Sequence, residues 1–108
     1  MKYSATMLAL LSIAALSACS SVIIGDKPGS DHVSLANADQ VANCQSKGKI
    51  NVTVLANVGI IPRSEETVEA NLLQMARNNA VDNGADTLVK GESKEPGKRQ
   101  FEMYKCRP

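Results

Sequence analysis

Between residues 50 and 106 the apolar and polar positions change period three times. In Ile50-Asn51-Val52-Thr53-Val54 they alternate strictly, the mark of a strand with one buried face. Val68, Leu72, Met75, Ala76 and Ala80 then recur at steps of three and four, which predicts an amphipathic helix over 65–83. Ser64 is positioned as its N-cap, with Glu65 and Glu66 in the first turn where the helix dipole favours acids. Asn83-Gly84 closes it, with glycine suited to a left-handed C′ position. Thr87-Leu88-Val89 is a second strand over 87–90, and residues 91–99, with Pro96-Gly97, form a polar turn region. Alternation resumes at 100–106, with Phe101 and Met103 on one face and Gln100, Glu102 and Tyr104 on the other.

These elements predict an α+β domain: a small three-stranded mixed sheet with one helix packed on one face. Strand 50–55, the helix and strand 87–90 make a split β-α-β unit with parallel strands, joined by a right-handed connection. The strand at 100–106 returns as a hairpin strand. The expected order is 1-3-2, with the last strand central and the helix covering Ile50, Val52, Val54, Phe101 and Met103. Upstream, Val33-Ser34-Leu35 can form a short edge strand and residues 37–44 a single helical turn, with Leu35 and Val41 both expected against the core. Residues 57–63 read as a loop. Val58, Ile60 and Ile61 are apolar for such a place: they either cap the core, the expected arrangement, or form an exposed patch of the kind that marks partner sites.

One polar residue breaks the helical pattern. At 100° per residue Asn79 falls on the apolar face. A buried amide needs partners, so Asn79 is expected to hydrogen-bond backbone groups of the loop 57–63 or of a strand end, with ligand binding in a pocket as the functional alternative. Asn78, on the helix flank, is expected to matter little.

The N-terminus is organised differently. Lys2 precedes an apolar run from Ala5 to Leu16 that ends in Leu16-Ser17-Ala18-Cys19. The run falls short of the roughly 20 apolar residues needed to cross a bilayer, and its layout is that of a secretory signal. The last four residues resemble a bacterial lipobox, in which the cysteine is acylated and becomes the first mature residue. Residues 1–18 are therefore expected to be a signal peptide, 19–31 a lipidated cysteine and flexible tether, and 32–108 a periplasmic domain. More than one acyl chain makes such an anchor effectively permanent. Ser20, where sorted lipoproteins retained in the inner membrane carry Asp, implies the outer membrane. Val22-Ile23-Ile24 can lie against the membrane interface.

Cysteine use follows from this. The chain has three. With Cys19 committed to lipid, Cys44 and Cys106 remain, and in an oxidising compartment the pair reads as a structural disulfide. It would close a loop of roughly sixty residues, worth about 4 kcal/mol in the chain-entropy model. That matters because the domain is small and the aromatic content of the whole chain is 3%, leaving an aliphatic core that needs a staple. Two distant cysteines and the lone His32 do not make a tetrahedral zinc site. Asp26, Asp31 and His32 read as solvated tether residues, and no metal or cofactor is expected.

The chain carries 12 Lys and Arg against 11 Asp and Glu. Loss of residues 1–18 removes Lys2 and no acid, so the charges then balance. Without a basic block, nucleic acid is not an expected partner. With one histidine in the tether, Ser-His or Cys-His catalysis lacks its base, and Glu65, Glu66 and Glu69 gather at a helix start, where acids serve solvation and the dipole. A non-enzymatic module that binds or senses an envelope partner is expected ahead of an enzyme acting on envelope material.

Asn43-Cys44 with Gly48, the run Ala76-Arg77-Asn78-Asn79-Ala80, Gly84-Ala85-Asp86-Thr87 and the terminal Tyr104-Lys105-Cys106 together resemble a family of small enterobacterial-type outer-membrane lipoproteins whose domain has no assigned function. A more distant similarity is to the sensor lipoprotein of the Rcs envelope-stress pathway, a compact α+β domain with two disulfides; this chain has cysteines for one. Neither resemblance implies catalytic residues.

Overall fold

A computed structural model describes residues 25–108; the expected signal, Cys19, Ser20 and Val22-Ile23-Ile24 lie outside the described residues. The fold is two-layered, one helix on one face of a mixed sheet. Strands are β1 (Ser34–Ala36), β2 (Gln45–Thr53), β3 (Asn57–Val58), β4 (Ile61–Pro62), β5 (Thr87–Lys90) and β6 (Lys98–Lys105), and the helix is α1 (Glu65–Asp82).

The main sheet has four strands in the order β1-β5-β6-β2, which corrects the expected three-stranded sheet of order 1-3-2. β6 lies between β2 and β5, antiparallel to both, while β1 pairs parallel with the outer side of β5. Three residues sufficed to add this strand because β5 offered a free edge, and because Val33, just before β1, is buried in the core. β3 and β4 form a separate hairpin.

β2 begins at Gln45, five residues before the alternating segment. Gln45-Ser46-Lys47-Gly48-Lys49 has no apolar period of its own. It is a strand because β6 continues opposite it, Gln45 facing Lys105 and Ser46 facing Tyr104, with a bulge between Ser46 and Gly48. Beyond the bulge, Ile50 faces Phe101 and Val52 faces Arg99.

Ser64 caps α1 by accepting from the Thr67 N–H at 3.2 Å, and its hydroxyl also donates to Thr67 Oγ1. Val68, Leu72, Ala76 and Ala80 form one buried row along the helix. It meets Val52, Leu88, Phe101 and Met103 from the sheet, with Ile50 and Val54 partly buried beside them. Ala76 and Ala80 are fully buried, so their small side chains let the backbone come close to the strands. Among the described residues no helix covers the opposite sheet face. It is polar, and there the Tyr104 hydroxyl donates to Glu102 at 2.7 Å.

Residues 38–41 form a 3-10 turn, in which the Asn37 N–H donates to the Gln40 side chain at 2.8 Å. Val41 is buried as expected; Leu35 stays 48% exposed, because β1 is an edge strand.

Candidate functional site

From Gly25 onward the expected tether lies against α1. Asn78 Nδ2 donates to the Gly25 carbonyl at 2.8 Å, and Asn78 Oδ1 accepts from the Lys27 N–H at 3.1 Å. Lys27 pairs with Asp82. Gln74 bridges Asn78 and Ser30, and Ser30 is 2% exposed. At 100° per residue Gln74 and Asn78 lie on the side of the helix away from the row Val68, Leu72, Ala76 and Ala80. The segment 25–33 is therefore a strap that crosses the outer face of the helix and enters the sheet at β1.

The strap makes Asn78, not Asn79, the amide that joins two elements. Asn79 Nδ2 donates to the Met75 carbonyl one turn back in its own helix, at 2.8 Å. This corrects the expected bond to the loop 57–63 or a strand end. A half-buried amide on a helix can reach the i−4 carbonyl, and Asn79 satisfies its N–H group without leaving α1.

At the same end of the domain, Asp86 gathers the C-terminus. Its carboxylate accepts from the Cys106 N–H at 2.8 Å, the Arg107 N–H at 2.9 Å and the Thr87 hydroxyl at 2.9 Å. Burial of the carboxylate opposes its ionisation. The two backbone N–H donors, with Thr87 and Lys105, outweigh that and hold the carboxyl well below its usual range. Beside it Cys44 and Cys106 form a disulfide, with Cα atoms 4.6 Å apart. The Arg107 guanidinium donates to the carbonyls of His32 and Asp86. Disulfide, Asp86 and Arg107 thus fasten the start of β2, the end of β6 and the end of the strap to one another.

The other end of the domain is open. A cleft of about 660 Å³ lies between the β3–β4 hairpin, the start of α1 and the loop before β6. Arg99 rises into it from the sheet and grips Glu69 of α1 with two bonds, 3.0 Å from Nε and 2.8 Å from Nη2. Lys90 adds a contact at 3.6 Å. The hydrogen bonds from Arg99 keep the Glu69 carboxyl below its ordinary value, against the opposing effect of burial. Arg63, Glu65, Lys94 and Glu95 complete a rim of mixed charge.

The hairpin that walls this cleft is apolar and exposed. Ile60, at its tip, is 98% exposed, Leu55 70%, Ile61 68% and Val58 63%. The expectation that residues 57–63 cap the core is therefore corrected. Backbone pairing of Val58 with Ile61 and of Asn57 with Pro62 lifts the segment off the sheet, and Arg63 holds its base, its N–H donating to the Ala56 carbonyl and its guanidinium to the Leu55 carbonyl, each at 2.8 Å. A second groove, about 500 Å³, runs from Leu55 and Val58 to Asn71 and Met75 of α1.

Among the described residues no three His, Cys, Asp or Glu side chains converge as metal ligands would. Asp31 and His32 are 3.8 Å apart and both exposed. No helix among the described residues is long and apolar enough to cross a membrane.

The bonds of Asn78 to Gly25 and Lys27 correct the expectation that this flank residue matters little, and Asp86 carried no signal of its own, although both fall in runs that carry the family resemblance. Those runs supply the clamped end, whereas the exposed hairpin was marked by Val58, Ile60 and Ile61.

Fold and surface thus define a small disulfide-stapled α+β domain with one clamped end and one open end. The chain belongs to the family defined by the Domain of unknown function (DUF4156), whose family model matches residues 26–106. No curated protein and no solved structure matches it.

Proposed function

We propose that this protein is a lipid-anchored envelope protein, attached through Cys19 to the outer membrane, whose domain binds or senses a periplasmic partner without catalysing a reaction. The observation that carries this reading is the Cys44–Cys106 disulfide. Structural disulfides belong to oxidising compartments, and this one uses the other two cysteines, leaving Cys19, at the end of the apolar run, for acylation. Ser20 supports sorting to the outer membrane, and residues 1–18 have the layout of the signal that export requires.

The open end is the proposed contact surface. Its most enclosed carboxylate, Glu69, is held ionised by Arg99 and Lys90, which suits a structural ion pair and not a general acid. The mixed-charge cleft suits recognition of another envelope component.

Two measurements test the reading. Cys19→Ala should abolish incorporation of labelled palmitate and release the protein from the membrane fraction; unchanged fractionation would refute the anchor. Photo-crosslinking in intact cells from Lys94, on the cleft rim, should capture a discrete envelope partner, whereas crosslinks from Lys94 no more specific than those from Lys49 on β2 would refute the binding role.

A further inference from the structure

The exposed hairpin and the entry of the described chain at Gly25 both lie along α1. The strap is pinned at Gly25 by Asn78, and the groove under the hairpin is lined by Asn71 and Met75 of the same helix. Asn71 and Asn78 stand on one stripe of α1, two turns or about 10 Å apart. On the lipid-anchored reading of Cys19, on which this inference rests, Gly25 follows the anchor by only six residues. Fully extended, that stretch reaches roughly 20 Å. Docking of 25–33 therefore leaves six residues between the anchor and the strap, and keeps Asn78, with Asn71 two turns along, within reach of the bilayer.

We propose that the β3–β4 hairpin seats in the membrane surface, with Ile60 as its deepest residue and Val58 and Ile61 beside it. The occupant of this apolar surface is lipid. The tip is convex and Ile60 is almost fully exposed, a shape that a fluid bilayer accepts without a complementary pocket. A few apolar side chains on a two-stranded hairpin fall well short of the roughly 20–30 residues a side that a stable protein interface uses. Between Val54 and Ser64 the one charged residue is Arg63, a cation, while the acids Glu65 and Glu95 stand on the cleft side of the hairpin; a cation at the base of an apolar tip matches the anionic headgroup region. The anchor and hairpin then make two attachments, which fix the orientation of the domain and not merely its distance from the bilayer.

The chain contains no tryptophan, so a single introduced one reports on its own position. The full lipidated protein, as Ile60→Trp, is reconstituted in phosphatidylethanolamine–phosphatidylglycerol vesicles with or without brominated acyl chains. Asn51→Trp, at an exposed position of β2 on the polar sheet face, is the comparison. Both proteins should float with the vesicles and melt near the wild-type temperature, since neither position is in the core. The Ile60→Trp emission should shift to the blue and fall about twofold with brominated lipid, as expected for burial ~5–10 Å into the interface, while Asn51→Trp stays unquenched. Flotation with equal, weak quenching of both variants would overturn the hairpin assignment and leave the anchor standing. Failure of wild type to float would remove the anchor and the inference together. Ile60→Trp emission that is shielded only when an envelope protein extract is added to the vesicles would assign the hairpin to a protein partner and overturn lipid as its occupant.

Discussion

Asn78 Nδ2 reaches the carbonyl of Gly25 at 2.8 Å across 53 residues of sequence, while its neighbour Asn79 bonds only within its own helix. The two amides therefore have opposite expected effects. Asn78→Ala removes two bonds to strap backbone, each worth ~1 kcal/mol, against a gain of about 0.5 kcal/mol in helix propensity. It should lower global stability modestly and expose the amides of 27–33 to hydrogen exchange. Asn79→Ala should leave stability unchanged or slightly raised. Equal exchange protection of 27–33 in wild type and Asn78→Ala would show that the strap is held by other contacts.

Asp86 makes the domain acid-sensitive. Its folded carboxyl titrates below the ordinary value of 3.8, so its stabilising contribution is complete well above that value. It is lost progressively as pH falls below it. Asp86→Asn should cost on the order of 1–3 kcal/mol at pH 7, as expected for hydrogen bonds to a charged acceptor, and should flatten the stability loss between pH 5 and 3. Some slope should persist from Glu69, which is depressed in the same direction. Urea unfolding of both proteins across this range measures the difference.

The disulfide spans a sequence separation of 62. Its reduction should remove about 4 kcal/mol in the chain-entropy model and lower the melting temperature sharply, because the core it supports is small. Alkylation of the denatured, unreduced protein should leave both Cys44 and Cys106 unmodified. Two reactive thiols would contradict the bond.

Gly97 is buried at φ +80°, where an added Cβ would lie 2.5 Å from the Val54 carbonyl oxygen. That carbonyl belongs to the residue whose N–H donates to Gly97, so the turn and the end of β2 cannot separate without losing a bond. Gly97→Ala should destabilise by about 1–3 kcal/mol and shift the Val54 amide resonance. Gly48→Ala, with φ +101° but open space around it, should cost less, since it carries the conformational penalty alone.

The sequence by itself determined the elements whose signals are local. A helix announces itself by Val68, Leu72, Ala76 and Ala80 at steps of four, with Ser64 ahead and Gly84 behind, because side chains that share a helix face are close in sequence. Strand alternation at 50–54 and 100–104 is equally local, and the Cys44–Cys106 pairing followed from counting cysteines. Tertiary structure alone decided the rest. A short edge strand at 33–35 was legible, but the pairing of β1 with β5 and the first half of β2 exist because neighbouring strands offered unpaired backbone groups, a requirement that leaves no period in Gln45–Lys49. Asn78 rather than Asn79 became the cross-element amide because the strap passes over the outer face of the helix, and the helical wheel gives angles but not what lies against each side. Asp86 looks like any acid before a strand until chain ends remote in sequence bring two N–H groups to it. Ile60 and Ile61 read the same from the sequence whether folded inward or raised on a hairpin, because hydrophobicity specifies that a side chain favours leaving water and says nothing of where it goes.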